Sequence, residues 1–399
     1  MISILRRIVK DYRMFETIKK MEKVYKGIYA NEEIKIPYIN KPGLVLTFDD
    51  GFRIKHWYNY GLGKTAKENI FGYYDVKATF NINAFHEYEN RFLNQEEIDH
   101  ILELQHNGHE IANHGYKHQN ALDYTEKHGE TNWAIDEVLA MSIWMSQQEH
   151  SVTKEKFKDA VSFVYPNSLY NDSTTNAIVP KHYKVCRGVM LKGDLQGLAD
   201  FQSEGLIPSI CVDFISLPDI RFIKPALKLA KKTGKNLIIM CHSILPKEKA
   251  WSDYNWGEES LEAGEYRVSP KSLSYLVKEA KKLDLEFYTL SEIGGVATFI
   301  DKNFENEVRK LIGLNEQEKW IPIKKLVNIQ KLDLLGKEIS NIGGIEYFLN
   351  LEELNLCNNN VSDIRLLLKL KKLKKLNVSN NNFDGNILSS MDKKIEIIS

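Results

Sequence analysis

Three places in the chain carry side chains of types and spacings that could do chemistry. Asp49 and Asp50 stand side by side where an apolar run, residues 44–48, meets Gly51. Adjacent carboxylates are costly to leave without partners, because like charges repel and each needs solvation. One could bind a metal while its neighbour takes a proton, although Asp-Asp-Gly is also an ordinary turn. His114 and His118 follow sixty-odd residues later, and histidines four apart meet on one face of a helical turn, where both imidazoles reach one cation. Five of the 11 histidines fall between His100 and His118, which argues against a set of isolated core histidines. Two histidines and one aspartate leave coordination positions open, as a hydrolytic rather than a structural metal requires. The third place is His242, which ends the apolar run 237–241. A capped core histidine is the plainer reading of that residue.

Something must hold these groups together. Residues 40–295 alternate short apolar runs (44–48, 78–82, 110–113, 162–165, 183–186, 210–214, 237–241, 286–290) with charged helical stretches such as 95–105 and 270–283. The alternation predicts an α/β barrel, in which reactive groups collect at the C-terminal ends of strands. Asp49, Asp50, His114 and His242 all follow such runs.

Taken in order, these residues resemble the polysaccharide deacetylases, carbohydrate esterase family 4, whose fold is the NodB-homology barrel. The first family motif, TFDDG, stands intact at 47–51; the second, H-S/T-x-x-H, stands as His114-Gly-Tyr-Lys-His118, with Gly115 in place of the hydroxyl residue. The third, R-x-P-Y, survives only as Val164-Tyr165-Pro166-Asn167, and Met240-Cys241-His242 supplies the last. The resemblance covers residues 40 to 295. It implies a distorted (β/α) barrel of fewer than eight strands and metal-assisted removal of an N- or O-acyl group from a sugar. It also implies Asp50, His114 and His118 as metal ligands, Asp49 as the general base and His242 as the acid for the departing amine. The backbone amide of Asn167, beside Tyr165, would stabilise the oxyanion. The cofactor expected is one divalent ion, zinc first, with cobalt or nickel accepting the same ligands. The arginine that steadies the family's base is missing at Val164, and Arg187 could supply its charge from another strand; a surface salt bridge is the alternative. Asp213 could orient His242. Residues 251–266, with Trp256, Glu258 and Glu259, could form a loop over the substrate groove.

The last third of the chain repeats. Leu332, Leu354 and Leu376 are 22 residues apart, as are Leu334, Leu356 and Val378, and Ile339, Val361 and Phe383. A Leu-x-x-Leu-x-Leu core at constant period resembles a leucine-rich-repeat solenoid. Asn359 and Asn381 fall where that family places an asparagine that satisfies backbone groups inside the turn, and Ile395 and Ile398 continue the period. Residues 302–318 read as a helix closing the open end. The expected organisation is therefore an N-terminal amphipathic helical segment (1–39), a catalytic barrel (40–300), a linker or capping helix (301–320) and the repeats (321–399).

Composition narrows the partners. Fifty-four basic residues balance 54 acidic ones, so no global charge argues for nucleic acid. Residues 1–26 carry eight Lys/Arg against three Asp/Glu, with Ile2, Leu5, Ile8, Tyr12 and Phe15 at helical spacing. Such a helix either docks on its own domain with a solvated basic face or makes peripheral contact with a membrane. The four cysteines are widely spaced, which suits a reducing compartment, and no run reaches the length of a membrane helix. A cytoplasmic enzyme acting on an acetylated sugar is the expectation, with a protein partner on the repeats. A non-sugar amide as substrate, or an idle barrel serving repeat-mediated binding, stay open.

Overall fold

The apolar run that ends in the aspartate pair becomes the centre of a parallel sheet. β1 (Gly43–Asp49) is buried along its whole length, as a strand covered on both faces must be. Its companions are β2 (Thr79–Ile82), β3 (Glu110–Asn113), β4 (Ser162–Val164), β5 (Val185–Arg187), β6 (Gly205–Ile207), β7 (Ile210–Cys211), β8 (Leu237–Cys241) and β9 (Glu286–Tyr288). This computed structural model describes residues 2–29, 41–62, 69–189, 195–213, 222–246, 266–315 and 317–399. Of the expected loop at 251–266, residues 251–265 lie outside them.

The strand order is β6-β5-β4-β3-β2-β1-β8-β7, with β9 also on β1 and every pair parallel. β1 pairs β9 through Gly43, Leu44 and Val45 and β2 through Thr47, Phe48 and Asp49, so the sheet curls into an α/β half-barrel. Each predicted run overlaps a strand. β6 was not legible in the sequence, and with the two-residue β7 it takes the sheet to nine strands among the described residues, more than the resemblance implies.

Helices cover the sheet. α1 (Ile2–Val24), α2 (Ile54–Leu62), α3 (Gln95–His106), α4 (Ile223–Thr233) and α5 (Pro270–Lys282) belong to this unit. A capping box between Asn94 and Glu97 starts α3 at Gln95, where the expected run begins. α1 corrects the expectation for its faces. It buries Met14, Ile18, Met21 and Tyr25 in the core and leaves Leu5, Ile8, Tyr12 and Phe15 exposed. The helix has two apolar stripes, and tertiary packing chose the one that the periodicity did not single out.

The chain divides into two compact units, residues 1–35 with 40–294, and residues 36–39 with 295–399. In the second, β10 (Lys331–Asp333), β11 (Glu353–Asn355), β12 (Lys375–Asn377) and β13 (Glu396–Ile398) form a parallel ladder. Leu332 pairs with Leu354 and Leu354 with Leu376, in step with the period. The last turn is shorter: Leu376 pairs with Ile397, so Ile398 does not continue the period and is 54% exposed. Asn359 accepts from the amides of Lys337 (3.0 Å) and Ile339 (2.9 Å) and donates to the carbonyls of Leu334 and Leu356 (both 2.8 Å). Asn381 repeats that role toward Val361 and Leu356. α6 (Lys302–Leu311), shorter than predicted, is capped by Asp301 and sets Phe304 against Phe299 and Phe348.

Candidate metal and catalytic site

Asp49 ends β1 and Asp50 follows in a left-handed conformation (φ 75°), which turns successive carboxylates in different directions. Gly51 closes the turn, its amide donating to Asn83 Oδ1 at 2.8 Å; a Cβ there would stand 2.8 Å from the Asn83 carbonyl oxygen. Each carboxylate has its own cation. Arg187, at the end of β5, grips Asp49 with Nη1 on Oδ1 (2.9 Å) and Nη2 on Oδ2 (2.5 Å), while Asn81 Nδ2 donates to Oδ1 at 2.7 Å. Both members of the pair are almost wholly buried. Burial would raise the Asp49 carboxyl, but the charge of Arg187, then those of His114 and His242, hold it below its usual range.

Asp50 Oδ2 takes Arg53 Nε at 2.7 Å, and Arg53 Nη1 also donates to Ser243 Oγ at 2.8 Å. Against the penalty of burial, Arg53 and His242 keep this carboxyl well below its ordinary value. Oδ1 is buried and accepts no hydrogen bond. It faces His114 Nε2 at 3.6 Å and His118 Nε2 at 3.4 Å. The candidate ligand atoms of Asp50, His114 and His118 all lie within 4.8 Å of one another. An orphaned carboxylate oxygen facing two imidazole nitrogens is what a divalent ion fits, since either alternative leaves buried lone pairs unsatisfied.

The two histidines do not meet on a helix. His114 follows β3, and the stretch from Gly115 to His118 is an irregular loop in which His118 has φ 60°. Gly115 has φ 84°, and a Cβ there would lie 3.1 Å from Glu137 Oε2, which is why glycine replaces the hydroxyl residue. Glu137 fastens the loop by accepting from the amides of Lys117 (3.0 Å) and Gln119 (3.1 Å). His114 Nδ1 lies 2.8 Å from the Val164 carbonyl, a contact that assigns its proton to Nδ1 and leaves Nε2 as the ligand. Burial pushes His118 down to about 4, so it is neutral near pH 7, as a ligand must be.

His242 follows β8. Its Nδ1 lies 2.6 Å from Asp213 Oδ2, its amide donates to Asp213 Oδ1 at 3.0 Å, and its Nε2 stands 4.0 Å from Asp50 Oδ2. Burial acts to lower its pKa, yet Asp213 and Asp50 together raise it above the usual histidine value. Trp57 Nε1, on α2, donates to the His242 carbonyl at 2.7 Å and steadies the turn. Thus Asp49, Asp50, His114, His118, Arg187 and His242 are brought together, with Asp213 behind the last.

Tyr165 does not join them. Its side chain is fully buried, stacked on Trp133 (6.0 Å), and its hydroxyl donates to Thr175 Oγ1 at 3.0 Å. Asn167 is an exposed residue at φ 55° in the turn Pro166–Ser168, whose Pro166 adjoins Gly115. Sequence reasoning missed Arg53, Asn81 and Glu137. A charge count could have found Arg53, because two buried carboxylates call for two cations and only Arg187 had been sought.

Residues 39–185 match the family model described as polysaccharide deacetylase. No curated protein matches the chain. Among solved structures, an internalin from Listeria monocytogenes is 30% identical over 25% of this chain and 29% of its own, with a TM-score of 0.24. The chain thus spans under a third of that relative. A Streptococcus mutans CE4 esterase is 16% identical over 66% of this chain and 91% of its own (TM-score 0.40). A peptidoglycan deacetylase from Bacillus subtilis is 12% identical over 71% of this chain and all of its own (TM-score 0.33).

Proposed function

We propose, from the match of residues 39–185 to the polysaccharide deacetylase model, that this part of the chain belongs to that family and is a metal-dependent hydrolase that removes an N-acetyl or O-acetyl group from an amino sugar or a surface-polysaccharide precursor. The observation that carries this reading is Asp50 Oδ1, buried without a hydrogen bond and facing two imidazole nitrogens. Asp50, His114 and His118 would hold one divalent ion, zinc first with cobalt or nickel as alternatives, which when bound acidifies a water and polarises the acyl carbonyl.

The protein's own groups do the rest. Asp49 is the general base: Arg187 and Asn81 supply three of the roughly four hydrogen bonds a carboxylate accepts, leaving one position for the attacking water. Arg187 is a positioning residue that fixes the carboxylate plane and keeps it ionised. His242 carries a proton on Nε2 toward the leaving nitrogen, while Asp213 fixes its ring and stabilises the imidazolium. The backbone amide of Asn167 is our assignment for the second oxyanion donor.

Catalysis is assigned to the barrel, expected at 40–300. We read the 22-residue ladder as leucine-rich repeats, a surface for a protein partner, on the support of Asn359 and Asn381. Four cysteines without a disulfide favour a cytoplasmic setting, which detection of the protein outside intact cells would refute. Val164 in place of arginine favours the rival reading, an idle barrel, and Arg187 on Asp49 answers it.

Acetate release from N-acetylglucosamine oligomers and from lipid- or nucleotide-linked N-acetylamino sugars tests the proposal. Metal-stripped protein should be inactive, zinc or cobalt should restore it, and Asp49→Asn should abolish it. No release from any of them by metal-loaded protein would redirect the site to a non-sugar amide, and failure to bind metal would leave the idle barrel.

A further inference from the structure

Eight of the 18 large apolar side chains that stand exposed among the described residues lie between Leu5 and Tyr29. Five of them, Leu5 (58% exposed), Ile8 (58%), Val9 (46%), Tyr12 (64%) and Phe15 (41%), occupy the first turns of α1. At a helical turn of about 100° per residue they share an arc of about 120°. That arc faces away from Met14, Ile18, Met21 and Tyr25, which bind α1 to the core. A helix apolar on two opposite faces is not explained by the described residues of its own domain, which cover one face.

Charge says what covers the other. α4 packs beside α1, with Phe15 edge-on to Phe222 (6.2 Å) and Lys232 Nζ over the Tyr29 ring (4.4 Å). α4 carries Lys224, Lys228, Lys231 and Lys232 with no acidic residue of its own, Lys224 being paired with Glu279 and Lys231 with Asp284. α1 exposes Arg13, Lys19, Lys20 and Lys23 beside Glu22, with Lys19 paired to Glu16. This stands out in a chain whose net charge is zero. A second copy of the chain meeting this face about a two-fold axis would set the same cations against each other. An anionic bilayer accepts both features at once, the apolar arc in the acyl boundary and the cations among the headgroups. Tyr12 and Tyr29 have the amphipathic rings that settle at that boundary.

We propose that the paired face of α1 and α4 docks on an anionic phospholipid surface. The proposal does not depend on the reading of the catalytic site. Docking would also bring the membrane within one helix of it, because Lys10 Nζ, on α1, donates to Cys211 Sγ at 3.2 Å, and Cys211 Sγ in turn donates to Asp213 Oδ2 at 3.3 Å.

The test is co-sedimentation of the full chain with vesicles of equimolar phosphatidylglycerol and phosphatidylcholine, against phosphatidylcholine alone. Binding should favour the anionic vesicles and weaken as salt rises. Ile8→Glu with Tyr12→Glu should weaken it about tenfold or more, and Lys228→Glu with Lys232→Glu should remove the preference for anionic lipid. All four side chains are exposed, so an unchanged melting temperature verifies that these variants fold. No binding to anionic vesicles, or equal binding to both kinds, would overturn the proposal. So would a dimer, seen in sedimentation equilibrium, that Ile8→Glu with Tyr12→Glu dissociates.

Discussion

Two adjacent buried carboxylates persist at the centre of this protein because each is matched by a different arginine, Arg187 on Asp49 and Arg53 on Asp50. Removing one member of such a pair costs more than the pair is worth, since the other is left charged and dry. Arg187→Met should therefore destabilise the protein by about 3–5 kcal/mol in urea unfolding, with acetate release lost. An unfolding midpoint unchanged from wild type would mean that Asp49 is not held as described. The Asp213–His242 pair gives a pH signature. Burial opposes ionisation of Asp213, but His242 holds its carboxyl down to about 2, so its contribution to stability is present above the ordinary carboxylate pKa and lost as pH falls through about 2. His242, raised, contributes below its ordinary pKa and loses that contribution as pH rises through the folded value. Asp213→Asn should accordingly lower the unfolding free energy at pH 5 and converge with wild type near pH 2. Parallel curves over that interval would contradict the pairing. The need for a cation on Asp49 was legible in the sequence, because the family's arginine is replaced by Val164; a charge count called for a second cation on Asp50, and only the fold decided that Arg53 supplies it.

At the scale of elements, the second motif works as a loop rather than a helical turn. Spacing placed His114 and His118 together correctly, but the shared approach comes from positive φ at Gly115 and His118 and from Glu137 beneath the loop. Restoring the family's hydroxyl residue with Gly115→Ser should thus harm this chain: a side chain at φ 84° costs roughly 1 kcal/mol or more and crowds Glu137. Zinc affinity, measured by competition with a chromophoric chelator, should fall about fivefold or more. Wild-type affinity in that variant would show that the loop has no such constraint. Strand β6 and the buried stripe of α1 were illegible for a related reason. Gly-Leu-Ile is too short to carry a period, and α1 offers two apolar stripes whose choice depends on what packs beside it.

For the whole molecule, the candidate ligands join distant parts of the barrel, Asp50 after β1 and His114 and His118 after β3. An ion bound only by the folded chain stabilises it by mass action, about 2.7 kcal/mol when free metal is about 100 times Kd. Zinc should raise the melting temperature of the wild type measurably and leave His114→Ala with His118→Ala unmoved. An equal rise in both would place the ion elsewhere. The same measurement separates binding from turnover, so a loaded but inactive protein would stand apart from one that never holds metal.

By itself the sequence determined what depends on near neighbours. The apolar run before Asp49-Asp50, the Asp-Asp-Gly turn, the four-residue step between histidines and the 22-residue period are all local, and each reappears as a strand end, a turn or a ladder. Only the tertiary structure decided which charges pair and which faces are buried. Arg187 reaches Asp49 across 138 positions of sequence, and Arg53 reaches Ser243 across 190. Ion pairing and burial are properties of the assembled neighbourhood, because the energy of a charge or a methyl group depends on what has displaced water around it.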